Sequence, residues 1–264
     1  GTEFDLWSNQ VLNVEGKGNV FVVTGECTLG DTLRFAPNSE LTVKLDRSGR
    51  TRPKLSFDED TDIVLSSGSI FTVDGDGTIT LPDGFTLHMK DRLTSGSDIQ
   101  ALSVLKLQNK AKMFLEEGAD TEISGVGIVE VSSGAQINLR SVSHLKLAGE
   151  EADSIDLSFN NSLLILEAVE VDEDVWESIV EDGTQGTDGC ARLSTGEGRT
   201  SWTFSGNSRL SIGLRGCLAF NNDGEDATRG FVESLDFADS KVYIRKALSE
   251  GDPFSGGRCI FMAN

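Results

Sequence analysis

The sequence predicts an all-β protein that forms a single parallel β-solenoid, or β-helix, with short coils of about 20 residues. In the central segment, residues 63–89, four short runs alternate apolar with polar residues, and each ends at Ser, Gly, Asp or Pro, where a chain turns. The inward pairs follow one another too closely for a βαβ unit, whose crossover takes about a dozen residues. The side chains predicted to face the core are Ile63, Leu65, Phe71, Val73, Ile79, Leu81, Phe85 and Leu87.

The chain before this segment follows the same plan. Residues 4–23 indicate a strand, a Gly-x-Gly turn at 16–18 and a second strand, and residues 33–45 repeat strand, corner, strand. The apolar start, Phe4, Leu6 and Trp7, is expected either to enter the chain's own core or to contact another subunit. Residues 1–264 are predicted to form one elongated domain.

Residues 44–54 interrupt the strand pattern with a basic run, which predicts an exposed loop excursion. Such a run is usually a solvated surface. The alternative is contact with the acidic residues 167–182 of a neighbouring copy, because complementary charge can set the register of an interface. The basic candidates for this contact are Lys44, Arg47, Arg50, Arg52 and Lys54.

Beyond residue 100 the apolar pulses continue, separated by Gly, Asn, Asp or Ser. A Leu-Lys-Leu segment at 105–107 recurs at 145–147, and each copy precedes an acidic turn. This spacing is interpreted as two successive pairs of coils of about 20 residues each, within the range of solenoid repeats.

One short helix is predicted near residues 172–180, inside an acidic helical insertion at 172–182. Asp172 can cap its N-terminus, acidic residues fill its first turn, and Gly183 ends it. Glu173, Asp174 and Glu177 are the acidic candidates for subunit contact. Residues 184–264 are predicted to form less regular coils that end in an apolar triplet, Ile260, Phe261 and Met262, a further contact candidate.

Composition limits the partners. The formal net charge is −20, which argues against nucleic acid and anionic membranes, since both require a positive surface. No apolar run approaches the roughly 20 residues of a membrane-spanning helix. The chain begins at Gly1 rather than Met, which favours a removed signal peptide and an extracellular or cell-surface location.

The four cysteines show no C-x-x-C spacing, so a zinc site is not expected. Cys190, Cys217 and Cys259 are the disulfide candidates, with Cys27 as the fourth residue. Buried free thiols in a reducing compartment are the alternative.

No catalytic residue is predicted. His88 and His144 are the only side chains that titrate near neutral pH, and both are expected at outward-facing strand positions without a nucleophile motif nearby. Asp74, Asp76 and Asp83 lie at EF-hand-like spacing and are candidate calcium ligands, but Asp-Gly is also ordinary turn chemistry. No other cofactor is expected.

The segments TITLPDGFTL, IVEVSSGAQINL and SWTFSGNSRLSI resemble the degenerate repeats of parallel β-solenoids in bacterial surface proteins, such as autotransporter passengers and filamentous-haemagglutinin-like adhesins. The resemblance concerns the fold and implies an extracellular adhesive or structural role. It supplies no catalytic positions.

Two functions remain open. The first is an extracellular structural solenoid that assembles head to tail from identical subunits into a filament or surface fibre, without catalysis. The alternative is a secreted adhesin, or a polysaccharide-binding or lyase-type β-helix, with carbohydrate or a host surface as partner. The sequence favours the first, because a sugar-stacking groove would have few Trp or Tyr residues available: Trp7, Trp176, Trp202 and Tyr243.

Overall fold

The structure is a computed structural model that describes residues 11–30, 32–48, 51–59, 61–90, 102–139, 143–149, 154–167, 191–195, 198–213, 216–219, 230–244 and 261–262. These residues form β-strands joined by short corners, which confirms the predicted all-β class. The helix predicted near 172–180 lies outside the described residues.

Successive strands pass in turn to three sheets, named A, B and C, and every third strand returns to the same sheet. Sheet A contains β1 (Val11–Val14), β4 (Thr32–Phe35), β7 (Asp62–Leu65), β10 (Thr86–Met89), β13 (Asp120–Gly125), β16 (Ser143–Gly149), β19 (Ala191–Thr195), β22 (Gly216–Ala219) and β25 (Phe261–Met262). Sheet B contains β2 (Asn19–Val23), β5 (Glu40–Leu45), β8 (Ile70–Asp74), β11 (Ser103–Gln108), β14 (Gly127–Ser132), β17 (Ser154–Asn160), β20 (Gly198–Ser205) and β23 (Gly230–Phe237). Sheet C contains β3 (Glu26–Leu29), β6 (Lys54–Phe57), β9 (Thr78–Leu81), β12 (Lys112–Leu115), β15 (Gln136–Leu139), β18 (Leu163–Leu166), β21 (Arg209–Ile212) and β24 (Lys241–Ile244).

The strand pairs of the described chain are parallel, which confirms the predicted parallel β-solenoid, and the three sheets give each coil three sides, a cross-section that the sequence did not predict. In coils of sheet A without an insertion, paired residues lie 24 positions apart in the sequence. Asp62 pairs with Thr86, and Asp120 pairs with His144. The first coil is shorter, since Val11 pairs with Thr32. This first coil spans 21 positions and agrees with the predicted length of about 20 residues, whereas the coils of 24 positions are slightly longer.

The interpretation of the two Leu-Lys-Leu segments is wrong. The first, residues 105–107, belongs to β11 in sheet B, whereas the second, residues 145–147, belongs to β16 in sheet A. Equivalent residues of a solenoid are separated by a whole number of coils and lie on the same sheet. The two segments lie on different sheets, so they are not equivalent positions of a repeat.

Extra residues enter the solenoid between strands and leave the strands in register. The basic run provides one example: Lys44 lies within β5 and Lys54 within β6, so only the residues between Leu45 and Lys54 form the excursion. Lys54 still pairs with Thr78 in the next coil of sheet C.

Apolar side chains fill the interior in layers. All eight central residues predicted to face the core are buried, and so is Leu139. One hydrophobic cluster extends from Val14 to Leu218. Phe159, Phe204 and Phe237 stack in successive coils of sheet B, with ring centroids 4.7 and 4.9 Å apart. In-register parallel pairing stacks equivalent side chains, and burial of this continuous interior stabilises the fold.

The corners use residues that tolerate a left-handed backbone. Asn38, Asn109 and Asn161 have positive φ, as do several corner glycines. Gly125 has a φ of +97°, and a Cβ there would collide with the Met89 carbonyl of the coil below. These residues let the chain turn while the coils stay close together.

Candidate functional site

The outer face of sheet A carries both histidines. Their neighbours along each strand, such as Leu87 and Leu145, point into the core, so the period of two places His88 and His144 on the outside. Both rings are half-buried, which confirms the outward phase predicted from the sequence.

Each histidine lies between an aspartate and a serine from other coils. His88 Nδ1 is 2.6 Å from Ser124 Oγ, and its Nε2 is 3.8 Å from Asp62 Oδ1. These three residues lie on the neighbouring strands β7, β10 and β13. This Asp-His-Ser combination could not be predicted from the sequence, because insertions between strands make the number of residues between its members irregular.

The second set repeats the Asp-His-Ser combination two strands further along sheet A, on β13, β16 and β19. His144 Nε2 is 2.5 Å from Ser194 Oγ, and its Nδ1 is 3.2 Å from Asp120 Oδ1. The residue types are those of a serine hydrolase triad. However, Ser194 is only 2% exposed, and β19 pairs on both sides, with β16 and β22. A serine nucleophile must be reachable, and its oxyanion needs unpaired N–H donors. The geometry therefore fits a hydrogen-bonded ladder between coils better than a nucleophilic site.

Ion pairs connect neighbouring coils in the same way. Lys146 Nζ lies 3.0 Å from Glu122 in sheet A, and Lys106 Nζ lies 3.2 Å from Glu130 in sheet B. In both cases the two residues are directly paired in the register. Opposite charges in facing positions stabilise a sheet and favour the correct register.

The basic excursion is attached to its own solenoid at the corner after β8. Arg47 Nη1 lies 2.8 Å from Asp76 Oδ2, and Arg52 Nη2 lies 3.3 Å from Asp76 Oδ1. The hydrogen bond from Arg47, reinforced by the charges of Arg52 and Lys110, lowers the pKa of Asp76. These arginines, predicted as subunit contacts, thus have a partner within the chain. Both remain about half exposed, and their contact with another copy stays a prediction.

The calcium candidates do not converge on one point in the described structure. Asp76 is paired with arginines, Asp74 accepts a hydrogen bond from the Asn109 amide at 2.6 Å, and Asp83 accepts one from the Asp120 backbone N–H at 2.8 Å. Within the described ranges, no group of three or more His, Cys, Asp or Glu side chains could hold a metal ion. In the described structure the three aspartates make these contacts at or beside corners, and calcium binding stays a prediction.

The described residues include only some of the other residues predicted to form subunit contacts or disulfides. Lys44 is exposed in β5, Lys54 is half-buried in β6, and the backbones of Phe261 and Met262 form β25. Cys27 is a free, half-buried thiol whose pKa is raised by burial, and Cys217 lies in β22. The candidates outside the described residues are Phe4, Leu6, Trp7, Arg50, Glu173, Asp174, Glu177, Cys190, Cys259 and Ile260.

Exposed large apolar side chains collect at the two ends of the described solenoid. Val11, Leu12, Val20 and Val22 belong to β1 and β2, whereas Val242 and Tyr243 belong to β24. Leu102, before β11, is the exception in the middle. The clustering of exposed apolar side chains at the end coils indicates surfaces suited to contact.

An open cleft of about 250 Å³ lies on sheet A beside the corner that leads to sheet B. Its walls come from four coils that are far apart in sequence, so sequence reasoning alone could not identify it. The lining residues are Asn13, Glu15, Arg34, Phe35, Ala36, Val64, Ser66 and Lys90.

Comparisons with protein-family models, with curated proteins and with solved structures gave no match. The fold defines the class as a parallel β-solenoid with polar ladders on its outer faces and no helix, among the described residues, long and apolar enough to cross a membrane. The resemblance to bacterial surface solenoids therefore rests on this architecture.

Proposed function

We propose that this chain is an extracellular structural β-solenoid, without catalysis, whose copies stack head to tail into a filament or surface fibre. The observation that carries the proposal is the position of the exposed large apolar side chains: of the seven in the described residues, six lie in the end coils. Val20 and Val22, on β2, are 61% and 49% exposed.

The pairing pattern supports stacking in one direction. In the described residues, sheet B ends at β2 on one side and at β23 on the other, and sheet C ends at β3 and β24. An end strand presents backbone N–H and C=O groups that have no neighbour, which is a template for pairing. Because all strands are parallel, β23 of one copy can continue into β2 of the next only head to tail. Such a heterologous contact generates an open filament unless its rotation closes a ring.

The test is a pair of charge substitutions on the end strand. The double variant V20K/V22K puts two cations beside the unpaired edge. We expect it to raise the protein concentration needed for filament formation at least tenfold, as measured by light scattering and electron microscopy. L102K is the matched control, because Leu102 is 42% exposed but lies before β11, away from the ends. A wild-type protein that stays monomeric at high concentration and low salt would contradict the proposal.

An extracellular location predicts at least one disulfide among Cys190, Cys217 and Cys259. Cys217 lies in β22, whereas Cys190 directly precedes β19 and Cys259 precedes β25 by two positions in the sequence. In the register Cys217 pairs with Arg192, and Cys190 and Cys259 lie outside the described residues, so the bridge stays a prediction. Peptide mapping without reductant tests it, and finding all the thiols free would remove this support for secretion.

A further inference from the structure

The cleft on sheet A has a floor of short side chains between longer polar ones. In the register, Asn13 pairs with Arg34, and Arg34 with Val64, so these positions follow one column across three coils. Ala36 and Ser66 follow the ends of β4 and β7, where backbone hydrogen bonds continue from Ala36 N to Val14 O and from Lys90 N to Leu65 O. Alanine and serine leave space that larger residues would fill.

Among the described residues that line this cleft, cations outnumber carboxylates, whereas the whole chain is acidic. Arg34 and Lys90 contribute two cations and Glu15 one carboxylate, in a protein of net charge −20. Both cations are exposed, and in the described part of the chain neither lies in an ion pair. An unpaired guanidinium is suited to bidentate binding of a carboxylate, and a lysine ammonium adds a second donor.

The remaining lining residues indicate which other chemical groups the ligand has besides its carboxylate. Asn13 and Ser66 offer amide and hydroxyl groups that can both donate and accept hydrogen bonds, whereas Glu15 only accepts them. Glu15 therefore favours hydroxyl donors and disfavours a second anionic group. Ala36 provides a small, half-exposed apolar surface for the C–H face of a ring, beside Val64, which is only 6% exposed.

We propose that this cleft binds a hydroxylated monocarboxylate, a sugar acid such as a uronate, with the carboxylate on Arg34 and Lys90 and the hydroxyls on Asn13, Glu15 and Ser66. The site faces outward from sheet A, but Asn13 and Glu15 belong to the end coil that begins with β1, so binding is measured on dilute, unassembled protein. The uronate can be free or part of an acidic polysaccharide, since both present the same group.

The experiment is an NMR titration of dilute full-length protein with D-glucuronate, with D-glucose as the uncharged control and a short galacturonate oligomer as the polymeric probe. We expect saturable shifts in residues 13–15, 34–36 and 64–66 with glucuronate, and at least tenfold weaker binding of glucose. If the oligomer binds more tightly than glucuronate, the natural ligand is an acidic polysaccharide. If the two bind equally, the natural ligand is a free sugar acid. Binding should weaken as salt is raised.

Three variants test the assigned contacts. R34Q and K90Q should each weaken glucuronate binding about tenfold, because each removes one charge-assisted contact. E15Q should strengthen it several-fold, since the repulsion is lost. K241Q, an exposed lysine on sheet C, is the matched control and should change nothing. Equal binding of glucose and glucuronate, equal weakening by K241Q, or no saturable shift would each overturn the proposal without affecting filament formation.

Discussion

At the scale of single residues, Asp76 has the best-defined charge environment in the described chain. Two arginines from the excursion contact its two carboxylate oxygens, and they hold its pKa below the ordinary value. A carboxyl whose pKa is lower in the folded state stabilises the protein above its unfolded pKa, which is about 3.9 for Asp. That contribution is lost as the pH falls through the lowered folded value.

The substitution D76N should therefore cost about 0.5 to 1 kcal/mol of unfolding free energy at pH 7, since exposed ion pairs contribute little each. The difference from wild type should shrink as the pH is lowered from 7 to about 2, because protonation of Asp76 below its lowered folded pKa removes the charge that the arginines bind. Urea unfolding at both pH values measures it. E117Q, at an exposed corner, is the control, and a difference that persists unchanged in acid would contradict the role of the charge.

Gly125 tests the close approach of two coils. An alanine there would have to keep a positive φ and would place its Cβ against the Met89 carbonyl, which belongs to a paired strand and cannot move freely. G118A is the matched control, because Gly118 also has positive φ (+75°) but an added methyl would meet nothing within 4 Å, so only backbone strain remains. We expect a loss of about 1 to 2 kcal/mol for G118A and about 1 to 3 kcal/mol more for G125A. Equal losses by thermal and urea unfolding would show that the contact is unimportant.

At the scale of the strands, the alternation of apolar and polar residues predicted which side chains face the core. The phase was correct at all eight central positions because one buried face requires a period of two. Coil membership was not predictable from the same pattern. Residues 105–107 and 145–147 share the sequence Leu-Lys-Leu and both point their leucines inward, yet they lie on different sheets. The alternation of apolar and polar residues determines which side chains of a strand face the core, but it does not determine which of the three sheets the strand belongs to.

Truncating a core leucine measures this burial. L139A should cost about 2 to 5 kcal/mol, because Leu139 is fully buried and its removal leaves a cavity between coils. L102A is the control, since Leu102 is exposed and its truncation should cost about 0.5 kcal/mol or less. Chemical denaturation of the two variants gives both numbers, and a small loss for L139A would mean that its strand faces outward.

At the scale of the whole molecule, the features that the sequence could not predict are those that join separate coils. The two Asp-His-Ser ladders span 62 and 74 positions, from Asp62 to Ser124 and from Asp120 to Ser194, and the cleft combines residues from 13 to 90. Insertions between strands change each separation while the strands stay in register, as Lys54 and Thr78 do beyond the basic excursion. A ladder or cleft therefore has no fixed spacing in the sequence, although its corner residues do have a recognisable composition.

End-to-end assembly predicts where the backbone gains protection. In a linear stack of coils, each coil contacts only its neighbours, so an end coil opens more easily than a central one. In dilute protein, amides of β2 (Asn19–Val23) should exchange with deuterium faster than those of β14 (Gly127–Ser132), which is paired on both sides. Raising the protein concentration should slow exchange in β2, because a second copy supplies the missing partner strand, and should leave β14 unchanged. Mass spectrometry of peptides covering the two strands measures both, and V20K/V22K should abolish the concentration dependence. If β2 exchanges at the same rate at every concentration, its edge stays unpaired and the copies do not stack through this end.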